Sequence, residues 1–133
     1  DISNKILNKA KDGTYSQLEI NRGLPAPMLL KYFSKNGLQW QMKPEFRSVI
    51  QFRQLNLIEN WPAMPKMDIV FLRNVLIYFD VATKRQILQK VRGLLQPDGY
   101  LFLGAAEMPM SVDNAFERVT VPRAGAYKIR QAT

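Results

Sequence analysis

Arg73, Asn74 and Tyr78 follow directly on a short apolar run, Ile69-Val70-Phe71-Leu72. A guanidinium can grip a carboxylate through two parallel N–H bonds, and a phenol hydroxyl can fix one of its oxygens. The trio is therefore equipped to hold an acidic group in a set orientation. A blander assignment uses the same residues: Arg73 paired with a nearby carboxylate, Asn74 capping a turn, Tyr78 filling core. Spacing alone leaves both open. The chain has no cysteine and no histidine, so disulfides and thiolate metal sites are excluded and zinc or iron has little to bind; no metal site is expected.

The elements around the trio decide where it sits. Residues 69–72 are too few and too β-branched for a helix, and they are apolar on both faces, as in a central strand of a parallel sheet. Asp80 to Thr83 supplies capping residues, and Ile87, Leu88, Val91, Leu94 and Leu95 recur at helical spacing, which predicts an amphipathic helix. Gln96-Pro97-Asp98-Gly99 ends it and leads into a second buried strand, Tyr100 to Gly104. A strand, helix and strand of these lengths form a right-handed crossover with parallel strands. Arg73 and Asn74 then lie past the carboxyl end of the first strand and Glu107 past that of the second, on the rim where open α/β sheets bind ligands. Phe116 to Arg130 reads as a closing antiparallel hairpin turning at Pro122 to Gly125.

Upstream, Ile6, Leu7 and Ala10 give a helix that stops at Gly13. Arg22 to Pro25 reads as a loop, and Pro27 to Phe33 as a short helix. Alternation at Leu38, Trp40 and Met42, and again at Val49 to Phe52, predicts two antiparallel strands joined by the KPEFRS turn. Phe52 to Leu57 is expected to end one strand before Trp61-Pro62.

The runs DIVFLRNVLIYFD, TKRQIL, LLQPDGYLFLG and AAE, with DIS, AKDGTY, NRGLP, KYF and FRQLNL upstream, resemble the C-terminal part of the CheR family of S-adenosylmethionine-dependent protein-glutamate O-methyltransferases, which modify chemotaxis receptors. The resemblance covers nearly all of residues 1–133 and implies an α/β fold: a partial class I methyltransferase, Rossmann-like sheet with a C-terminal antiparallel hairpin and a small β insertion at 38–52. It implies Arg73 and Tyr78 as the catalytic residues that orient the substrate glutamate. It implies Asp1 on the ribose hydroxyls of S-adenosylmethionine and Asn56 and Leu57 along its adenine, with Arg73 also on the cofactor side. Tyr15 and Arg22 resemble positions in the segment over the active site. Before Glu107, where family members often carry His-Ser, this chain has Ala105-Ala106. A complete member would begin with a helical domain and a first strand with a glycine-rich loop, and neither is among these residues. Without that loop the chain alone is expected to bind cofactor weakly. Without that strand, the edge at 69–73 is left open to self-association.

Lys+Arg outnumber Asp+Glu by 19 to 11, for a formal charge of +8. This favours acidic partners by long-range steering. The basic residues are scattered and match no nucleic-acid motif, so an acidic protein surface is the expected partner and nucleic acid is not. No apolar run approaches the roughly 20 residues of a membrane span, and the family resemblance implies a cytoplasmic enzyme. The alternative to an enzyme is a docking module for an acidic protein, using the 38–52 segment with Arg47 and Arg53.

Overall fold

A computed structural model describes residues 1–131. They fall into two compact units, Asp1–Asn56 and Leu57 onward.

In the first unit, helix α1 (Asn4–Asp12) starts at Ser3, whose hydroxyl accepts from the Ile6 N–H, and ends at Gly13. Gly13 has φ 69° and donates to the Lys9 carbonyl at 2.9 Å, a left-handed stop that glycine adopts without steric cost. Then come β1 (Thr14–Ser16), α2 (Gln17–Ile20), α3 (Ala26–Tyr32), β2 (Phe33–Asn36), β3 (Gln39–Met42) and α4 (Pro44–Arg47). The strands form an antiparallel sheet in the order β1-β3-β2. Ile20, Leu29 and Phe33 make its core, flanked by Tyr15, Trp40 and Met42.

The hairpin expected across 38–52 is not formed. The alternation at Trp40 and Met42 does mark a strand, but its hairpin partner is β2 upstream, with Asn36 opposite Gln39. The turn is Gly37-Leu38, and Gly37 has φ 59°, the positive φ that two-residue hairpin turns require. Pro44 starts a helix instead of a turn: a fixed φ suits the first helical position, and α4 occupies most of KPEFRS. Residues 49–57 contain no strand. Their stretch 53–55 is tied to the N-terminus, with Leu55 N–H donating to the Asp1 carbonyl (3.0 Å) and the Gln54 amide to the Ile2 carbonyl (2.9 Å).

The second unit carries β4 (Met67–Leu72), α5 (Val81–Leu94), β5 (Leu95–Leu103), β6 (Phe116–Val121) and β7 (Ala124–Ile129), with the sheet in the order β4-β5-β7-β6. β4 and β5 are parallel, joined through α5, and β7 runs antiparallel to both β5 and β6. Asp80 caps α5 by accepting from the Thr83 N–H at 2.7 Å. β5 begins earlier than expected. Met67 pairs with Leu95 and Ile69 with Tyr100, so Gln96 to Gly99 is a bulge within the strand, not a turn before it. Gly99 permits the bulge: a Cβ there would lie 3.0 Å from the Asp68 carbonyl oxygen and 3.1 Å from that of Gln96.

Ile87, Leu88 and Val91 of α5 pack with Leu95, Leu101, Leu103, Phe116 and Tyr127 on one face of the sheet. The other face is open within this unit. Phe71 is 70% exposed and stacks on Phe102 at 5.0 Å between ring centres. β4, which reads as central from its two apolar faces, pairs only with β5 among the described residues. It is an edge strand of this sheet.

Candidate functional site

Leu72 of β4 pairs with Leu103 of β5, so Arg73 and Gly104 leave the sheet side by side at its carboxyl rim. The next turn holds a short 3-10 helix, Leu76–Tyr78. Leu76 is 4% exposed and plugs the turn into the α5 core. Arg73 and Tyr78 stay outside, Tyr78 80% exposed. The ion pairs Lys9–Glu19 and Arg92–Asp113 do not involve Arg73. Neither the core tyrosine nor the paired arginine of the blander assignment is observed. Asn74 has φ 59°, a left-handed conformation that asparagine tolerates better than most residues. This gives Asn74 a structural part in the turn.

The turn is held by a group to which the sequence assigns no role. Glu107, 5% exposed, sends its carboxylate back under the loop. Oε2 accepts from the N–H groups of Asn74 and Gly104, both at 2.7 Å. Oε1 accepts from Val75 at 3.0 Å and Ile77 at 3.3 Å. An ionised carboxylate offers about four lone-pair positions, and all are used. Burial by itself raises the carboxyl pKa, but the N–H groups of Gly104, Asn74 and Ile77 outweigh it and hold the pKa below its ordinary value. The Glu107 backbone is fixed as well: its N–H donates to the Gly104 carbonyl at 3.0 Å, and its carbonyl accepts from the buried Tyr127 hydroxyl at 3.3 Å. Gly104 is shaped by this arrangement. A Cβ there would fall inside contact distance of Asn74 Oδ1 and 2.9 Å from Glu107 Oε2.

The residues expected on the cofactor side are described unit by unit. In the first, Asp1 is exposed but anchored, its Oδ1 accepting from the Ser3 N–H at 2.8 Å and its carbonyl from Leu55. Asn56 closes that unit. Leu57 opens the second and packs partly buried against the α5 core. Its carbonyl accepts from Lys90 Nζ at 3.0 Å and from the Trp61 indole at 3.3 Å, and Lys90 also lies 5.5 Å from the Trp61 ring centre. The Leu57 carbonyl is thus committed. Tyr15 is partly buried, edge-on to Phe33 at 6.0 Å, and Arg22 is exposed.

Residues 1–124 match the family described as CheR methyltransferase, SAM binding domain. The chain belongs to this family. It is 43% identical over 120 residues to chemotaxis protein methyltransferase 1 of Pseudomonas aeruginosa and 42% identical over 120 residues to chemotaxis protein methyltransferase Cher2 of Pseudomonas putida, in each case across 90% of this chain and 44% of the relative. It is also 36% identical over 132 residues to a chemotaxis protein methyltransferase of Vibrio anguillarum, across 98% of this chain and 48% of the relative. The chain thus spans about half the length of these CheR relatives. The parallel β4-α5-β5 crossover and the β6-β7 hairpin agree with a partial Rossmann-like methyltransferase sheet. No helix among the described residues is long and apolar enough to cross a membrane.

Proposed function

We propose that this chain forms the acceptor side of an S-adenosylmethionine-dependent enzyme that methylates glutamate side chains of chemoreceptor-type proteins in the cytoplasm. The supporting observation is the rim itself: Arg73 and Tyr78 stand exposed on either side of a backbone segment whose N–H groups are fixed by a buried carboxylate. When bound, S-adenosylmethionine supplies an electrophilic methyl group on a sulfonium centre. As a carboxylate attacks such a centre, both charges fade, so the protein must mainly align the acceptor and exclude water. Arg73 holds the substrate carboxylate through its guanidinium fork, and Tyr78 fixes one oxygen.

The cofactor-side residues have the right chemistry. Asp1 keeps carboxylate capacity beyond its bond to Ser3 and can accept from ribose hydroxyls. Leu57 offers an apolar side chain and a backbone N–H, and Asn56 an amide, the donors and wall an adenine needs. Arg73 is the group common to both sides.

The test is methyl transfer by the full-length protein to the cytoplasmic part of a chemoreceptor, together with calorimetric binding of S-adenosylhomocysteine. Arg73→Ala and Tyr78→Phe should each lower turnover by about 10- to 100-fold, the range expected for loss of acceptor alignment, with thermal stability retained. Wild-type turnover in both variants would remove these residues from the mechanism.

A further inference from the structure

Glu107 is the one buried charged side chain among the described residues, and the chemistry proposed for the site makes no use of it. Its lone-pair positions are filled by four main-chain donors. It therefore has no capacity left to take a proton from substrate or to hold a ligand. Three of those donors belong to residues 74, 75 and 77, and the fourth to the end of β5. The residues just outside the clamped segment are Arg73 and Tyr78.

We infer that Glu107 is a positioning residue for acceptor alignment: its carboxylate fastens the 74–77 main chain to the end of β5 and so fixes where the Arg73 and Tyr78 side chains begin. The inference rests on the acceptor-side role proposed for those two residues. Leu76 alone would keep the turn near the sheet through its buried side chain, but an apolar plug does not set main-chain orientation. Hydrogen bonds with directions do, and here four converge on one rigid group. The rim of β4 is joined to the rim of β5 by this carboxylate as it would otherwise be by further strand pairing, which stops at Leu72 and Leu103. Ala105 and Ala106 contribute no polar side chain to the connection.

Glu107→Gln tests the inference, because the amide keeps the shape while one oxygen becomes an N–H₂ group facing two N–H donors. Two measurements on the full-length protein separate the clamp from its catalytic consequence. Amide hydrogen exchange should show Asn74, Val75 and Ile77 losing protection while the α5 amides keep theirs. Steady-state methyl transfer should show kcat falling at least 10-fold, with Glu107→Asp, which keeps the charge, recovering part of it. If Glu107 acts through Arg73 and Tyr78, adding Glu107→Gln to an Arg73→Ala, Tyr78→Phe background should lower the rate no further. Unchanged kcat in Glu107→Gln despite a loosened turn would overturn the positioning role, as would a loss that multiplies fully in that background. Should Glu107→Gln fail to fold, Glu107→Asp carries both measurements, and wild-type turnover with lost protection at 74–77 gives the same refutation. If Arg73→Ala and Tyr78→Phe are themselves fully active, the acceptor-side reading falls and the positioning role with it. The exchange data then still report separately whether the carboxylate holds the turn.

Discussion

Replacing Gly104 by alanine probes the rim with a single methyl group. No left-handed backbone is involved at Gly104, so the cost comes from contact alone. The new Cβ would meet Asn74 Oδ1 and lie 2.9 Å from Glu107 Oε2. The first obstruction is the end of an exposed side chain that can swing away. The second is an oxygen held at 2.7 Å by both Gly104 and Asn74 N–H groups, and moving it stretches both bonds. Hydrogen bonds to a charged group contribute about 1.5–3 kcal/mol each, so losing one and weakening the other should cost roughly 2–4 kcal/mol. With a urea slope of about 2 kcal/mol/M, the unfolding midpoint should drop by roughly 1–2 M. Asn74→Gly alone should stay within about 0.5 kcal/mol, since glycine accepts the positive φ. In the double variant it should recover only about 1 kcal/mol, the share due to the Asn74 side chain. A Gly104→Ala protein as stable as wild type would refute the reasoning. So would complete rescue by Asn74→Gly, which would mean that the carboxylate is not crowded.

The lowered pKa of Glu107 makes its contribution depend on pH with a defined sign. The stabilisation is full above the unfolded carboxyl value near 4.5 and is lost as pH falls through the depressed folded value. Urea midpoints of wild type and Glu107→Gln should therefore differ at pH 7 and converge as pH falls below 4.5, whereas a constant gap would contradict the carboxylate clamp. The open edge and bare face of β4 should make the 133-residue chain self-associate. Sedimentation should be concentration-dependent for wild type and monomeric for Phe71→Lys, which places a charge on that face; a wild-type monomer at every concentration would sink the idea.

The parts of the fold legible in the sequence are those whose apolar period is determined by their own neighbours. Ile87, Leu88 and Val91 announce α5, and Asp80 its start, because both signals are local. The β3 alternation announces a strand but not its partner, since period 2 says which face is buried and nothing about which edge is paired. Gly37, a glycine at the first of the two turn positions, carried that information, and Pro44 favoured a helix start as readily as a turn. The position of the trio at the rim was legible because the apolar run before it marks a strand and so its end; what the trio does was not, since spacing alone left two assignments open. Glu107 was placed on the rim but without a role, for a physical reason: its partners are main-chain N–H groups, which every residue but proline possesses, so no side-chain pattern marks them. The nearest signal was Gly104 three residues before Glu107, the same separation at which Glu19 reaches back to the Ser16 N–H in the α2 cap. Arg47 shows the converse. Offered by the sequence as a surface charge, it donates to the Asp12 carbonyl at the end of α1 at 2.7 Å, so reversing its charge would disturb the helix end as well as any docking, and Arg53 is the cleaner site for that comparison.

Because the turn after β4 is gripped through its main chain, its shape and its chemistry are separable. Side chains at 75 and 77 can be exchanged without touching the four bonds that set the loop's path, since each bond uses an atom common to nearly all amino acids. Proline at either position is the clear exception, having no N–H to give. A library randomised at 77, where the native isoleucine is half exposed, would therefore vary the surface presented beside Tyr78 on an unchanged frame. The rim is in this sense a mounting plate, with glutamate as the bolt and the outward side chains as replaceable fittings.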